Sequence, residues 1–151
     1  MDDIKTFGNL LGFSIKLEDS LMNFYNKASE DSRFLNIAED LSILIKQNIK
    51  RKSILERIRR ENINEMILQP IEGLKPDSSL INIETGEMGR SPDILERAVK
   101  LEENSSKFYI DASYKAKLVL AEASRYFIKL AKENDIRSSR LKSIYSKLRE
   151  E

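Results

Sequence analysis

The chain has 151 residues, with 26 basic side chains against 25 acidic ones for a formal charge of +1. That length suits one domain, predicted to run over 1–151, and the charge balance argues against a surface tuned as a whole for nucleic acid or an anionic membrane. There is neither Cys nor His, which excludes disulfides, Cys-ligated zinc, iron–sulfur clusters, a thiol nucleophile, the usual general base and the commonest transition-metal ligand.

The opening Met1-Asp2-Asp3-Ile4-Lys5 lacks a cationic flank followed by an apolar run, and no apolar run of 18 residues occurs, so the expectation is a soluble, cytoplasmic protein without a membrane partner. Over residues 4–29, Phe7, Leu10, Leu11, Leu17, Leu21, Phe24, Tyr25 and Ala28 recur at helical spacing and predict a first helix. The cluster Ser29-Glu30-Asp31-Ser32 turns the chain and supplies a cap. A second helix then runs to about residue 62, with Phe34, Ile37, Ala38, Leu41, Leu44, Ile45, Leu55 and Ile58 on its apolar face. Between Leu44 and Leu55 that face passes through Asn48 and Arg51.

Periodicity fades after Ile63, while Pro70, Gly73, Pro76, Gly86 and Gly89 accumulate, so residues 63–91 are expected to form a long crossover. Met66, Ile67, Leu68 and Leu74 let it lie along the helices, and Leu80-Ile81-Asn82-Ile83 is a candidate short strand. Ser91-Pro92-Asp93 marks a helix start, with Ser as N-cap, Pro at the first helical position and an acid facing the dipole. This third helix turns Ile94, Leu95, Ala98, Leu101, Phe108, Tyr109 and Ala112 inward. A turn is placed within Ser113 to Lys117, and a fourth helix follows with Leu120, Ala123, Phe127, Leu130, Ala131, Leu141, Tyr145 and Leu148 on one face, interrupted by Asn134 and Arg137.

The two halves repeat. Leu17-Glu18 followed by Phe24-Tyr25 and Ala28 matches Leu101-Glu102 followed by Phe108-Tyr109 and Ala112 at an offset of 84. Leu44, Asn48, Arg51 and Leu55 match Leu130, Asn134, Arg137 and Leu141 at an offset of 86. On the Leu-Glu, Phe-Tyr and Ala pattern, the doubled helical hairpin and the long crossover, the chain resembles the rubrerythrin-like branch of the ferritin-like superfamily over nearly its whole length. The resemblance implies an all-α fold: an antiparallel four-helix bundle of two hairpins with a long connection between the second and third helices.

In that family a Glu from each of two helices and a Glu-x-x-His from each of the other two hold a pair of metal ions. The resemblance puts Glu18 and Glu102 at two ligand positions, but Asn48-Ile49-Lys50-Arg51 and Asn134-Asp135-Ile136-Arg137 stand where Glu-x-x-His is expected. Four carboxylates and two imidazoles around two divalent ions are close to neutral, and so are two carboxylates beside two guanidiniums. The expectation is therefore a buried polar cluster of Glu18, Asn48, Arg51, Glu102, Asn134 and Arg137, with no metal, no cofactor and no catalytic residue. Three simpler readings stand beside it. The glutamates lie at the rim and pair with surface Lys; the arginines reach solvent along a helix flank; and the flanking Tyr25 and Tyr109 are plain core aromatics rather than partners of the polar centre. The basic run of Lys50, Arg51, Lys52, Arg57, Arg59 and Arg60 is interleaved with Glu56 and Glu61 and has no aromatic platform, so it reads as a solvated face and not as a nucleic-acid site. The functional expectation is a structural or interaction module that associates as a homodimer. Its rival is retained iron or manganese chemistry of the family's kind, peroxide reduction or iron oxidation.

Overall fold

The structure, a computed structural model, describes residues 3–62, 66–84 and 91–150. In chain order it contains β1 (Ile4–Thr6), α1 (Phe7–Ser29), a 3₁₀ turn (Ser32–Ile37), α2 (Ala38–Glu61), β2 (Pro70–Leu74), the single-turn α3 (Ser78–Ile81), α4 (Ser91–Ala116) and α5 (Ala121–Glu150). The described residues are thus mainly helical, with one small two-stranded ribbon among them. The side chains of the predicted N-cap and first position, Ser91 and Pro92, lie outside what is described, and Gly86 and Gly89 of the crossover lie outside the described residues altogether.

The long helices pack in pairs, α1 on α2 and α4 on α5, and all four contribute to one hydrophobic core. Phe7, Leu10, Leu11, Leu17, Leu21, Phe24, Tyr25 and Ala28 of α1 are all buried, and removing each large apolar side chain from water contributes about 1.5–3 kcal/mol. The opposing faces hold Leu41, Leu44, Leu55 and Ile58 of α2, Leu95, Leu101 and Phe108 of α4, and Phe127, Leu130 and Leu141 of α5.

Four boundaries differ from the sequence-based expectation. The first helix begins at Phe7 because Ile4–Thr6 is extended and pairs antiparallel with Pro70–Leu74, Ile4 opposite Leu74. Thr6 then caps α1, its hydroxyl accepting from the Asn9 N–H at 3.1 Å. The second helix is preceded by a 3₁₀ turn, which Asp31 starts by accepting from the Arg33 N–H at 2.9 Å and which buries Phe34 and Ile37 three residues apart. Leu80 and Ile81 belong to a helical turn rather than a strand, because Asp77 accepts from the Ser79 N–H at 2.9 Å and Leu80 is buried. The last turn lies at Lys117–Leu120, later than placed from sequence. Buried Ala112, Ser113 and Ala116 keep α4 helical, and the Ala116 carbonyl accepts from Val119 and Leu120 at 3.0 and 2.9 Å.

The crossover also closes the start of α1. The Phe7 and Gly8 N–H groups, which have no partner within the helix, donate to the carbonyls of Gln69 and Ile67 at 2.9 and 2.8 Å. That approach requires glycine at position 8: a Cβ there would meet the Ile67 side chain and stand 2.7 Å from its carbonyl oxygen. From α3 onward the crossover is fastened to α4 and α1. Asn104 donates to Ser79 at 2.9 Å, Arg97 to the Ile83 carbonyl at 2.9 Å, and Asn23 to Glu84 at 3.0 Å. Among the described residues no helix is long and apolar enough to cross a membrane.

Candidate functional site at the centre of the helices

Asn48 and Arg51 sit three residues apart on the buried face of α2, and Asn134 and Arg137 do the same on α5. At that spacing two side chains share a helix face, so each pair projects into the interior. Glu18 on α1 and Glu102 on α4 meet them there. Both glutamates are 0 % exposed, Arg51 is 3 % and Arg137 4 % exposed. Charge so far from water is retained only where opposite charge and hydrogen bonds answer it.

Most of those answers are present twice. Tyr25 on α1 donates to Glu102 Oε2 at 2.5 Å, and Tyr109 on α4 donates to Glu18 Oε2 at 2.6 Å. Arg51 Nη2 donates to Asn134 Oδ1 at 2.6 Å, and Arg137 Nη1 donates to Asn48 Oδ1 at 2.8 Å. Each guanidinium also lies 5.6 Å from the centre of a phenol ring, Arg51 by Tyr109 and Arg137 by Tyr25, a favourable cation–π placement. The two phenols are therefore partners of the polar centre as well as core aromatics.

The symmetry breaks at the carboxylates. Glu102 accepts from Tyr25, from Asn134 Nδ2 at 2.6 Å and from Arg137 Nη2 at 3.0 Å. Glu18 has its Tyr109 hydrogen bond and an ion pair with Arg51 Nε at 3.5 Å that is not a hydrogen bond. Among the described residues Glu18 Oε1, Asn48 Nδ2, Arg51 Nε and Nη1 and Arg137 Nε have no hydrogen-bond partner. The Arg51 end has other company. Its Nη2 reaches the Leu130 carbonyl at 3.3 Å, and Glu133 approaches Nε at 3.9 Å.

The electrostatics follow. Burial, and then the negative charge of Glu102, push the Tyr25 hydroxyl well above its ordinary range, and burial with Glu18 does the same to Tyr109. Burial works against the Arg137 charge, but Glu102 outweighs it with help from Tyr25 and Glu18, so the guanidinium is held more firmly protonated than in water.

Sequence reasoning did not identify Glu133 or Tyr126, although Tyr126 lies within electrostatic reach of Arg51, Glu18 and Glu133. Both stand at the edge of an apolar face, where a polar side chain is unremarkable. Arg51 of the basic run points inward, Lys52 pairs with Asp19 at 2.9 Å, and Arg57 pairs with Glu61 at 2.9 Å and Glu122 at 3.7 Å.

The donor set is a poor match to two divalent ions. It offers two carboxylates, each already bound to a phenol and facing a guanidinium, where iron or manganese would require several more oxygen or nitrogen ligands and no fixed cation beside them. Among the described residues no three Asp or Glu side chains converge.

No family model matches the chain, and a comparison with curated proteins gives no match. Among solved structures it is similar to hypothetical protein Pfu-1136390-001 from Pyrococcus furiosus, at 21 % identity and a TM-score of 0.65, over 92 % of this chain and 87 % of that one. At that identity the likeness concerns the fold.

Proposed function

We propose that the chain is a ferritin-like bundle of the rubrerythrin-like kind in which a guanidinium–carboxylate network stands in for the di-metal centre, and that it acts as a structural or interaction module and not as an enzyme. The observation that carries this reading is the burial of Arg51 and Arg137, three residues beyond Asn48 and Asn134, against Glu18 and Glu102. Two fixed positive charges beside two carboxylates take up the charge that metal ions would neutralise.

The partner in this reading is a second copy of the chain. A groove of about 540 Å³ between α4 and α5 is lined by the exposed apolar side chains of Ile110, Tyr114 and Ile128, together with Lys117, Arg125, Lys132 and Asp135. Exposed apolar side chains gathered on one face mark an association surface, and a second copy meeting it across a twofold axis is the occupant this reading commits to. Two measurements test the proposal. Elemental analysis of protein purified without chelator is expected to find far less than one metal ion per chain, and two equivalents of iron or manganese would overturn the loss of the metal centre. Light scattering on the eluting protein is expected to give twice the chain mass of 17.5 kDa, and a strict monomer would remove the association.

A further inference from the structure

The two hairpins repeat on the inside and differ on the outside. At the offsets of 84 and 86, Ile110, Tyr114 and Ile128 on the outer face of α4 and α5 correspond to Asn26, Glu30 and Ser42 in the first hairpin, and Arg125 corresponds to Glu39. The helical hairpin itself therefore does not call for apolar or basic side chains there. Leu118, in the turn that follows α4, adds a nearly fully exposed apolar side chain beside Lys117.

The charge of this face is one-sided. Lys117, Arg125 and Lys132 line the groove against the single carboxylate of Asp135, and none of the four takes part in an ion pair among the described residues. The charges around the groove do not redress the excess. Glu122 pairs with Arg57 at 3.7 Å, Lys115 with Glu72 at 3.6 Å and Glu103 with Lys142 at 3.6 Å, while Lys107 lies by Asp77 and exposed Asp111 and Lys129 cancel. Three cations against one carboxylate leave two positive charges on one patch, in a chain whose whole formal charge is +1.

A twofold contact sets each patch against its own copy, so these like charges meet. Packed helices lie about 8–10 Å apart, well within the Debye length of about 30 Å at 0.01 M salt and beyond the few ångströms that remain in concentrated salt. Repulsion thus opposes the apolar contact in dilute salt and is screened as salt rises. We infer that ionic strength controls self-association through the α4–α5 face, the two chains binding more tightly as salt increases. This rests on the twofold pairing proposed above, and it separates that pairing from a head-to-tail one. The α1–α2 face of a second copy, with Glu30 and Glu39, would bring opposite charge to Arg125 and Lys132, and that contact would loosen in salt.

Sedimentation equilibrium of the full chain at neutral pH tests it. The dimer dissociation constant is expected to fall about threefold to tenfold between about 10 mM and about 0.3 M sodium chloride. The double variant Arg125→Gln and Lys132→Gln, at two exposed positions, removes the excess charge. It is expected to associate more tightly than the parent in dilute salt and to change by less than about twofold over the same range. Asp135→Asn enlarges the excess and is expected to steepen the response. A melting curve for each variant checks that it is folded. A parent dimer that loosens or stays constant as salt rises would overturn the inference. So would a double variant that keeps the parent's full response, which would assign the effect to salt acting on apolar surface in general. A chain that is monomeric at every ionic strength would remove the association itself, which the other results leave in place.

Discussion

Tyr25 on α1 and Glu102 on α4 are joined by a hydroxyl-to-carboxylate hydrogen bond of 2.5 Å, and Tyr109 on α4 returns the contact to Glu18 on α1 at 2.6 Å. Each hairpin thus supplies the phenol that satisfies the other's buried carboxylate. Tyr25→Phe keeps the ring in the core and removes only the donor. It is expected to cost about 1.5–3 kcal/mol, the range for a hydrogen bond to a charged group. Urea unfolding measures it as a lower midpoint at an unchanged slope; a shift of less than about 0.5 kcal/mol would contradict the role given to the hydroxyl.

The two glutamates are not equally supported, since Glu102 accepts three hydrogen bonds and Glu18 accepts one. Glu102→Gln is therefore expected to destabilise the protein by about 1 kcal/mol or more beyond Glu18→Gln, because it disturbs more partners. Glu18→Ala strands the Arg51 charge and should itself cost about 3–5 kcal/mol, a fall in melting temperature of several degrees. The reverse order of the two Gln variants, or a Glu18→Ala change within about a degree, would show that the ion pairs are not arranged as described.

Alkaline pH should weaken the fold through the same phenols. In the folded chain Tyr25 and Tyr109 hold their protons above the ordinary tyrosine range, chiefly through burial. The unfolded chain releases them near pH ~10. The folded state then binds more protons, so this contribution is fully present below about pH 10 and is lost as pH rises toward the raised folded values. The expected slope is up to about 1.4 kcal/mol per pH unit for each tyrosine. Stability measured from about pH 9 to 11 should fall less steeply in Tyr25→Phe than in the parent; identical slopes would refute the shift.

If guanidinium has replaced metal, restoring the ligands should restore metal binding. The fourfold variant Asn48→Glu, Arg51→His, Asn134→Glu and Arg137→His rebuilds a Glu-x-x-His on both α2 and α5 beside Glu18 and Glu102. It is expected to bind about two equivalents of iron(II), manganese(II) or zinc(II) per chain and to melt higher with metal than without. Equal uptake by the parent chain, or none by a folded variant, would speak against the proposed ancestry of the site.

How much of this was legible in the sequence depended on the physical signal at each residue. Leu17, Leu21, Leu55, Phe127 and Leu141 announce their helices because the 3.6-residue period is local and strong. Asn48, Arg51, Asn134 and Arg137 stand out because they are polar at positions that the same period reserves for the core. The hydroxyl partners of Tyr25 and Tyr109 left no such mark: an aromatic suits the core with or without a donor, and the acceptors are 77 and 91 residues away. The β1–β2 ribbon was hidden for a related reason. Three residues at the start of an apolar helical pattern do not reveal that their partner is Pro70–Leu74 of the crossover, nor that Gly8 must leave room for Ile67.

The exchange of phenols between hairpins has a consequence for cooperativity. Alone, the first hairpin would hold Glu18 without Tyr109 and Arg51 without Asn134; the second would hold Glu102 without Tyr25 and Arg137 without Asn48. Neither half can close its own polar interior, so the chain gains nothing by folding one half first and should unfold in a single all-or-none transition.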